Sequence, residues 1–317
     1  MIPTRYLVGR LLQLFPVLFI VGTVVFFTFR IVPGDPAQLA LGVDATPEAL
    51  AALRHEWGLD RPLHIQYLIW MRGVLQGDLG VSRLEGHRRV VDILKPKIPA
   101  TLELVLVGVA FALALAVPLG IAAAVRAGGR IDQLARVIAM LGFSTPSYWL
   151  AILLMLLFSL RLRWLPAGGY VSPERDLAQH LRFLVLPVVT IGFIQAASLV
   201  RFLRSGMLEV LNLDYIRTAR AKGLPEHGVI YRHALKNSLI SLITVLGTNV
   251  GALIGGLVVT EQIFAWPGLG WQMVTSISFR DYQVVQGAVL YIALMFVTIN
   301  LLVDISYVLL DPRVHYE

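Results

Sequence analysis

The chain has 317 residues, of which 57% are hydrophobic and 15% charged, with a formal charge of +7. Soluble domains carry about 25% charged residues, so a water-soluble fold of this size lacks the polar surface to cover so much apolar side chain. Disorder, which requires low hydrophobicity, is excluded as well. The composition is that of a polytopic membrane protein, and its basic excess belongs in cytoplasmic loops rather than on nucleic acid. The chain has no cysteine, which removes disulfides, thiolate metal sites and cysteine catalysis.

A helix crossing about 30 Å of hydrocarbon needs about 20 mostly apolar residues. Six windows qualify, at 11–32, 101–125, 134–160, 184–203, 237–259 and 284–310. The first follows Arg5 and Arg10. Its apolar run exceeds the roughly 7–15 residues of a cleavable signal, so 1–32 reads as a retained anchor helix. Residues 33–98 are too many for a plain loop. LHIQYLIWMRGVL, Leu63 to Leu75, has apolar groups at helical spacing after Pro62, and Gly77, Asp78 and Gly80 then mark a turn. This segment reads as a small cap on the membrane body without a core of its own.

The remaining windows form a membrane core over 97–310. Pro118, Pro146 and Pro187 fall within them and are expected to kink their spans. Glu103 and Asp304 lie near span ends, where partial solvation relieves their charge. Gln195, Ser198 and Asn249 are polar enough to line a path, or to pack. Gly247, Gly251 and Gly255 give GxxxGxxxG, a spacing that lets helices approach closely. The same seam could also shift as a path opens. None of the seven histidines lies in a window and no pair has HxxxH spacing, so no metal site is expected. With the N-terminus inside, the cytoplasmic pieces hold 12 Lys and Arg in 61 residues, against 5 in the 47 of the short outer loops. That bias places both termini in the cytoplasm.

The segment 201–236, between the fourth and fifth windows, is the most informative. Asp214 stands at an N-cap position before the helix-forming run YIRTARAK. Tyr215, Ile216 and Ala219 share one face, and Arg217, Arg220 and Lys222 supply charge around the rest. Gly223 suits the left-handed conformation that ends a helix, and Pro225 suits the opening of the next. Such a short helix is unstable alone in water and needs a surface. That surface is the membrane body, anionic headgroups or a cytosolic partner.

Met207 to Asn237 resembles the coupling loop of ABC-importer permeases, whose consensus is EAA, three residues, then Gly. Aligned on Gly223, the EAA positions fall on Arg217, Thr218 and Ala219, and of these Ala219 keeps the consensus. YIRTARAKGL followed by HALKN is similar to the form found in the dipeptide and oligopeptide branch. The resemblance runs through the chain in VPGDPA (32–37), GDLGVS (77–82), PATLEL (99–104), RWLPAGGY (163–170) and VTEQIFAWPGLG (259–270). RDY (280–282) and LLDPR (309–313) complete it. It implies an all-α membrane protein of the type I ABC importer permease fold. Six transmembrane helices and a small periplasmic cap after the first would sit in the bacterial inner membrane.

It further implies a second homologous permease, two ATPase subunits and an extracytoplasmic substrate-binding protein, with di- or oligopeptides as cargo and nickel chelates as the alternative. The coupling loop would be 204–236. Asp214, Tyr215, Arg217, Thr218, Ala219, Lys222, Gly223 and Leu224 would engage the ATPase, Ala219 being small so that the helix seats closely in its groove. ATP and Mg would belong to those partners and no cofactor to this chain, which has no GxxxxGK[ST] loop. An intramembrane enzyme would need a nucleophile and base at depth, and no GxSxG is present. A passive channel would work without ATP.

Overall fold

The computed structural model describes residues 4–31, 35–42, 45–82 and 86–310. Val32–Gly34 of VPGDPA and the end of LLDPR lie outside them. Among the described residues the regular structure is helical, apart from one isolated antiparallel bridge, Val81 to Arg89. The helices are α1 (Thr4–Ile31), α2 (Pro36–Leu41), α3 (Pro47–Glu56), α4 (Leu63–Leu75), α5 (Val90–Leu94), α6 (Ile98–Val125) and α7 (Arg130–Ser144). They continue with α8 (Ser147–Leu154), α9 (Leu177–Leu211), α10 (Asp214–Ala221), α11 (Glu226–Gly228), α12 (Leu235–Ile263), α13 (Leu269–Ser278) and α14 (Tyr282–Leu310). Four stretches are each long and apolar enough to cross a bilayer: Leu12–Ile31, Val90–Val125, Leu177–Leu211 and Tyr282–Ser306. Two bent pairs bring the number to six when each pair is one crossing.

The bends differ from the expected kinks. Pro118 and Pro187 sit inside α6 and α9, whose helices run through them. At Pro146 the helix stops altogether, and Arg130–Ser144 meets Ser147–Arg161 at 107°. Thr145, preceding proline, is extended at φ −95° and ψ 118°, because the proline ring disfavours helical geometry there. The window 134–160 is therefore two half-helices and not one straight span. A second bend of 59° separates Glu226–Asn249 from Leu253–Ile263, with Gly251 inside it, a residue type that tolerates such bends. Two segments, Met155–Arg161 and Val229–Ala234, are wound as π turns.

The chain divides into two compact units. One comprises 101–267 with the chain ends, 1–10 and 296–317. Its axis is the 35-residue α9, about 50 Å long and so longer than the hydrocarbon it crosses. Asp176 caps it by accepting from the Gln179 N–H at 2.9 Å. Small residues let neighbours close on it. A Cβ on Gly142 of α7 would lie 2.2 Å from the Ala197 Cβ, and one on Gly120 of α6 would lie 3.0 Å from Leu203. The core there is built from Ala112, Ala116, Ala123, Ala196, Leu199 and Leu203. Gly142→Val is accordingly expected to destabilise by roughly 1–3 kcal/mol through overpacking. Thermal unfolding in detergent checks this, and Ala197→Gly is expected to recover part of the loss.

The glycine series on α12 serves different neighbours. A Cβ on Gly247 would lie 2.8 Å from Val303 of α14, whereas Gly255 and Gly256 face open space. Gly251 makes only ordinary contact with Phe296.

The other unit comprises 11–100 and 268–295. Asp35 caps α2 through the Ala37 N–H and accepts from Arg54 Nε at 2.7 Å, which ties α2 to α3. The predicted helix after Pro62 is α4, and it lies along α1 through aromatic contacts. Tyr67 stacks on Phe27 and meets Phe26 edge-on, Trp70 lies against Phe26, and Thr23 shares a 2.7 Å hydrogen bond with the Tyr67 hydroxyl. Neither α3 nor α4 buries a residue fully.

Candidate functional site

Between α9 and α12 the backbone makes a hinge whose bonds can be followed one by one. Leu213, extended at ψ 150°, is the cap of α10, and Asp214 is the first residue inside the helix. The Asp214 side chain lies 3.4 Å from Arg217 Nη1 instead of capping. At the far end Leu224 N–H donates to the Ala219 carbonyl at 3.3 Å and Gly223 N–H to that of Arg220 at 2.9 Å. This pair of bonds is a Schellman C-cap, which requires a left-handed residue at its turn. Gly223 supplies it at φ +78°, with nothing near where a Cβ would be. Pro225 then caps α11.

Two contacts brace the hinge. Arg220 grips Glu226 across the elbow, Nη2 to Oε1 at 2.7 Å and Nε to Oε2 at 3.1 Å. The hydrogen bond raises the Arg220 guanidinium above its ordinary pKa. Asn237 Nδ2, near the start of α12, donates to the Tyr215 hydroxyl at 2.6 Å.

Burial sorts the residues of the hinge by face. Ile216 and Ala219 pack inward on Leu203, Met207, Val229 and Ala234, within the chain's own core. Ala219 is 7% exposed, so its small side chain packs α10 against the chain's own core. The outward surface is Asp214, Tyr215, Arg217, Thr218, Lys222, Gly223 and Leu224. Ala219→Asp is therefore expected to damage folding, because a carboxylate there would be buried without a partner. A lower membrane yield and melting temperature than for Arg217→Ala is the measurable outcome.

The three path candidates meet. Gln195 and Ser198 of α9 and Asn249 of α12 border one cavity of about 270 Å³, with Thr145, Ser147 and Thr260 around it. Asn249 Nδ2 donates to Ser198 Oγ at 3.1 Å. The lining is neutral, made of amides, hydroxyls and apolar side chains.

Other polar sites escaped the sequence. His180 falls in the first turn of α9, which begins at Leu177, seven residues before the apolar window 184–203. Its Nε2 is 2.6 Å from Glu103 Oε1 and its Nδ1 is 2.7 Å from the Val171 carbonyl. Glu103 is thus satisfied by pairing, not by solvent alone. Tyr170 and Trp266 enclose the imidazole. Burial, then the charges of Glu103 and Glu174, push the Tyr170 hydroxyl up. Asp132 at the start of α7 accepts from Arg204 Nη2 at 2.8 Å and from the Gly128 N–H at 2.9 Å, and Arg204 Nε binds its other oxygen. Among the described residues no group of three or more His, Cys, Asp or Glu is placed to hold a metal.

Two family models cover this architecture. Residues 116–316 match the binding-protein-dependent transport system inner membrane component, and residues 3–105 match the N-terminal part of such membrane components. The chain belongs to this permease family. Its relatives match end to end. The dipeptide transport system permease protein DppB of Alkalihalophilus pseudofirmus is 39% identical over 98% of this chain and 99% of its own. A putative peptide transport system permease protein of Brucella suis is 42% identical over 99% and 100%. The glutathione transport system permease protein GsiC of Salmonella paratyphi A is 40% identical over 99% of each. A crystal structure of an amino acid ABC transporter with histidines shares the fold at TM-score 0.50 and 13% identity, covering 68% of this chain and 94% of that one. The permease is a multi-pass transport subunit of an ABC importer and not an enzyme.

Proposed function

We propose that this permease carries di- and oligopeptides across the cytoplasmic membrane, as one of two homologous permease subunits set on two ATPases. A substrate-binding protein delivers cargo to the outer face. The layout follows: anchor helix 1–32, periplasmic cap 33–98, membrane core 97–310 and coupling loop 204–236, with both termini cytoplasmic. The observation that carries the reading is the hinge. Its apolar side is fixed into the chain's own core, while Asp214, Tyr215, Arg217, Thr218, Lys222 and Leu224 remain outside. A helix fixed on one side can pass a push from a partner into the spans as rigid-body motion. Gln195, Ser198 and Asn249 offer neutral hydrogen-bonding groups suited to peptide amides passing along a path. The end-to-end relatives named for dipeptides, peptides and glutathione favour this cargo.

Pull-down from native membranes with mass spectrometry is expected to return a second permease, the ATPases and a binding protein. Arg217→Glu combined with Lys222→Glu should lose the ATPases and at least tenfold of dipeptide uptake while membrane insertion persists. ATPases retained at wild-type levels with full uptake would exclude the hinge as the docking surface.

A further inference from the structure

GDLGVS and RDY have no part in the hinge or the membrane cavity, yet the fold brings them together. Loop 76–82 is pinned to the start of α14. Ser82 Oγ donates to the Asp281 carboxylate, and Gly80, at φ +83°, lies so near Gln283 that a Cβ would be 3.4 Å from its Oε1. On its other side the loop closes on α4, where a Cβ on Gly73 would fall 2.9 Å from the Asp78 carbonyl. Between these walls is a cavity of about 340 Å³, bordered also by Arg30 from α1 and by Trp57, Gly58 and Arg61 around the turn after α3.

Its polar groups are unevenly satisfied. Gln66 is fully engaged: Nε2 donates to the Leu59 and Arg61 carbonyls, and Oε1 accepts from Arg30 Nε at 3.1 Å, which holds that guanidinium in place. Tyr282 and Gln286 also border the cavity, at 9% and 3% exposure. The Tyr282 hydroxyl and the Gln286 amide nitrogen are buried without a hydrogen-bond partner. Native proteins leave few such groups orphaned, and each calls for an explanation. Arg280 borders the same space in a left-handed conformation, φ +57°, uncommon outside glycine, and has no ion-pair partner among the described residues.

An amide N–H, a phenolic O–H and guanidinium groups are donors, and their complement is an acceptor-only group of negative charge. Glu56 and Asp78 on the same lining oppose a dianion and select a single charge. We propose that this cavity binds one carboxylate group, either on a free small molecule or on an acidic side chain of the docked binding protein. The second source rests on the function proposed above, while the first does not.

The test uses the assembled transporter in nanodiscs with two conservative variants, Tyr282→Phe and Gln286→Met. Each removes an orphaned polar group, so the melting temperature should hold or rise. Calorimetric titration with N-acetylalanine and with its amide reads the first source, and needs neither ATP nor transport. Saturable binding of the acid, at least tenfold weaker for the amide and for both variants, identifies a free carboxylate. If the acid does not bind but both variants weaken the binding protein at least tenfold at unchanged melting temperature, the carboxylate is the partner's. No effect of either variant in both titrations, or a fall in melting temperature for both, overturns the proposal.

Discussion

Replacing Gly223 by valine is expected to separate ATP hydrolysis from uptake. The space around this glycine is open, so the whole cost of a side chain is conformational, about 1–2 kcal/mol for an L-residue held left-handed. A β-branched residue is worst in that region. The Schellman bonds to Ala219 and Arg220 then open, and the hinge loses the fixed angle on which the coupling proposed above depends. In proteoliposomes containing the whole transporter, uptake should fall about tenfold or more while hydrolysis continues. Gly223→Asn should retain most transport, because asparagine tolerates this conformation. Uptake unchanged in the valine variant would show that the elbow's geometry plays no part in coupling.

The largest loss of stability is expected at Asp132 and Arg204. The Asp132 side chain is 1% exposed and Arg204 only 21%. Removing Arg204 leaves a buried carboxylate with the Gly128 N–H as its remaining hydrogen bond, and removing Asp132 leaves a partly buried guanidinium without its ion-pair partner. Arg136, 3.4 Å away and mostly exposed, is a poor substitute. Either Asp132→Ala or Arg204→Ala should cost about 3–5 kcal/mol, read as a fall in denaturation midpoint in detergent. Asp132→Leu with Arg204→Met should recover most of it, since an apolar pair has no charge to desolvate. A single variant as stable as the parent would show that the pair is better solvated than its burial indicates.

What could be read from the sequence was local. The helix after Pro62 and the left-handed Gly223 follow from residues within one or two turns, and both stand where the pattern puts them. Gln195, Ser198 and Asn249 were identifiable by polarity inside apolar windows, though their common cavity depends on how α9 meets α12. Ala219 shows where local reasoning stops. Periodicity identifies the face it shares with Ile216, but packing on Leu203 and Met207 decides which way that face turns. Asp132 with Arg204, and Glu103 with His180, are 72 and 77 residues apart. Hydropathy windows also end before the amphipathic extension of α9 that carries His180. Thr145 is the local exception, because the residue before proline favours extended backbone, and here that turns a kink into a break.

The wide turn Val229–Ala234 stands between the hinge and the fifth crossing. Such a turn carries one residue more than the ordinary repeat. Passing that surplus along turns each residue it traverses by about 100° and shifts it by about 1.5 Å, with backbone bonds exchanged and not lost. On the function proposed above, a push at the elbow would meet this turn before it met the rest of α12, at a place where axial force can be converted into rotation of the residues the surplus passes.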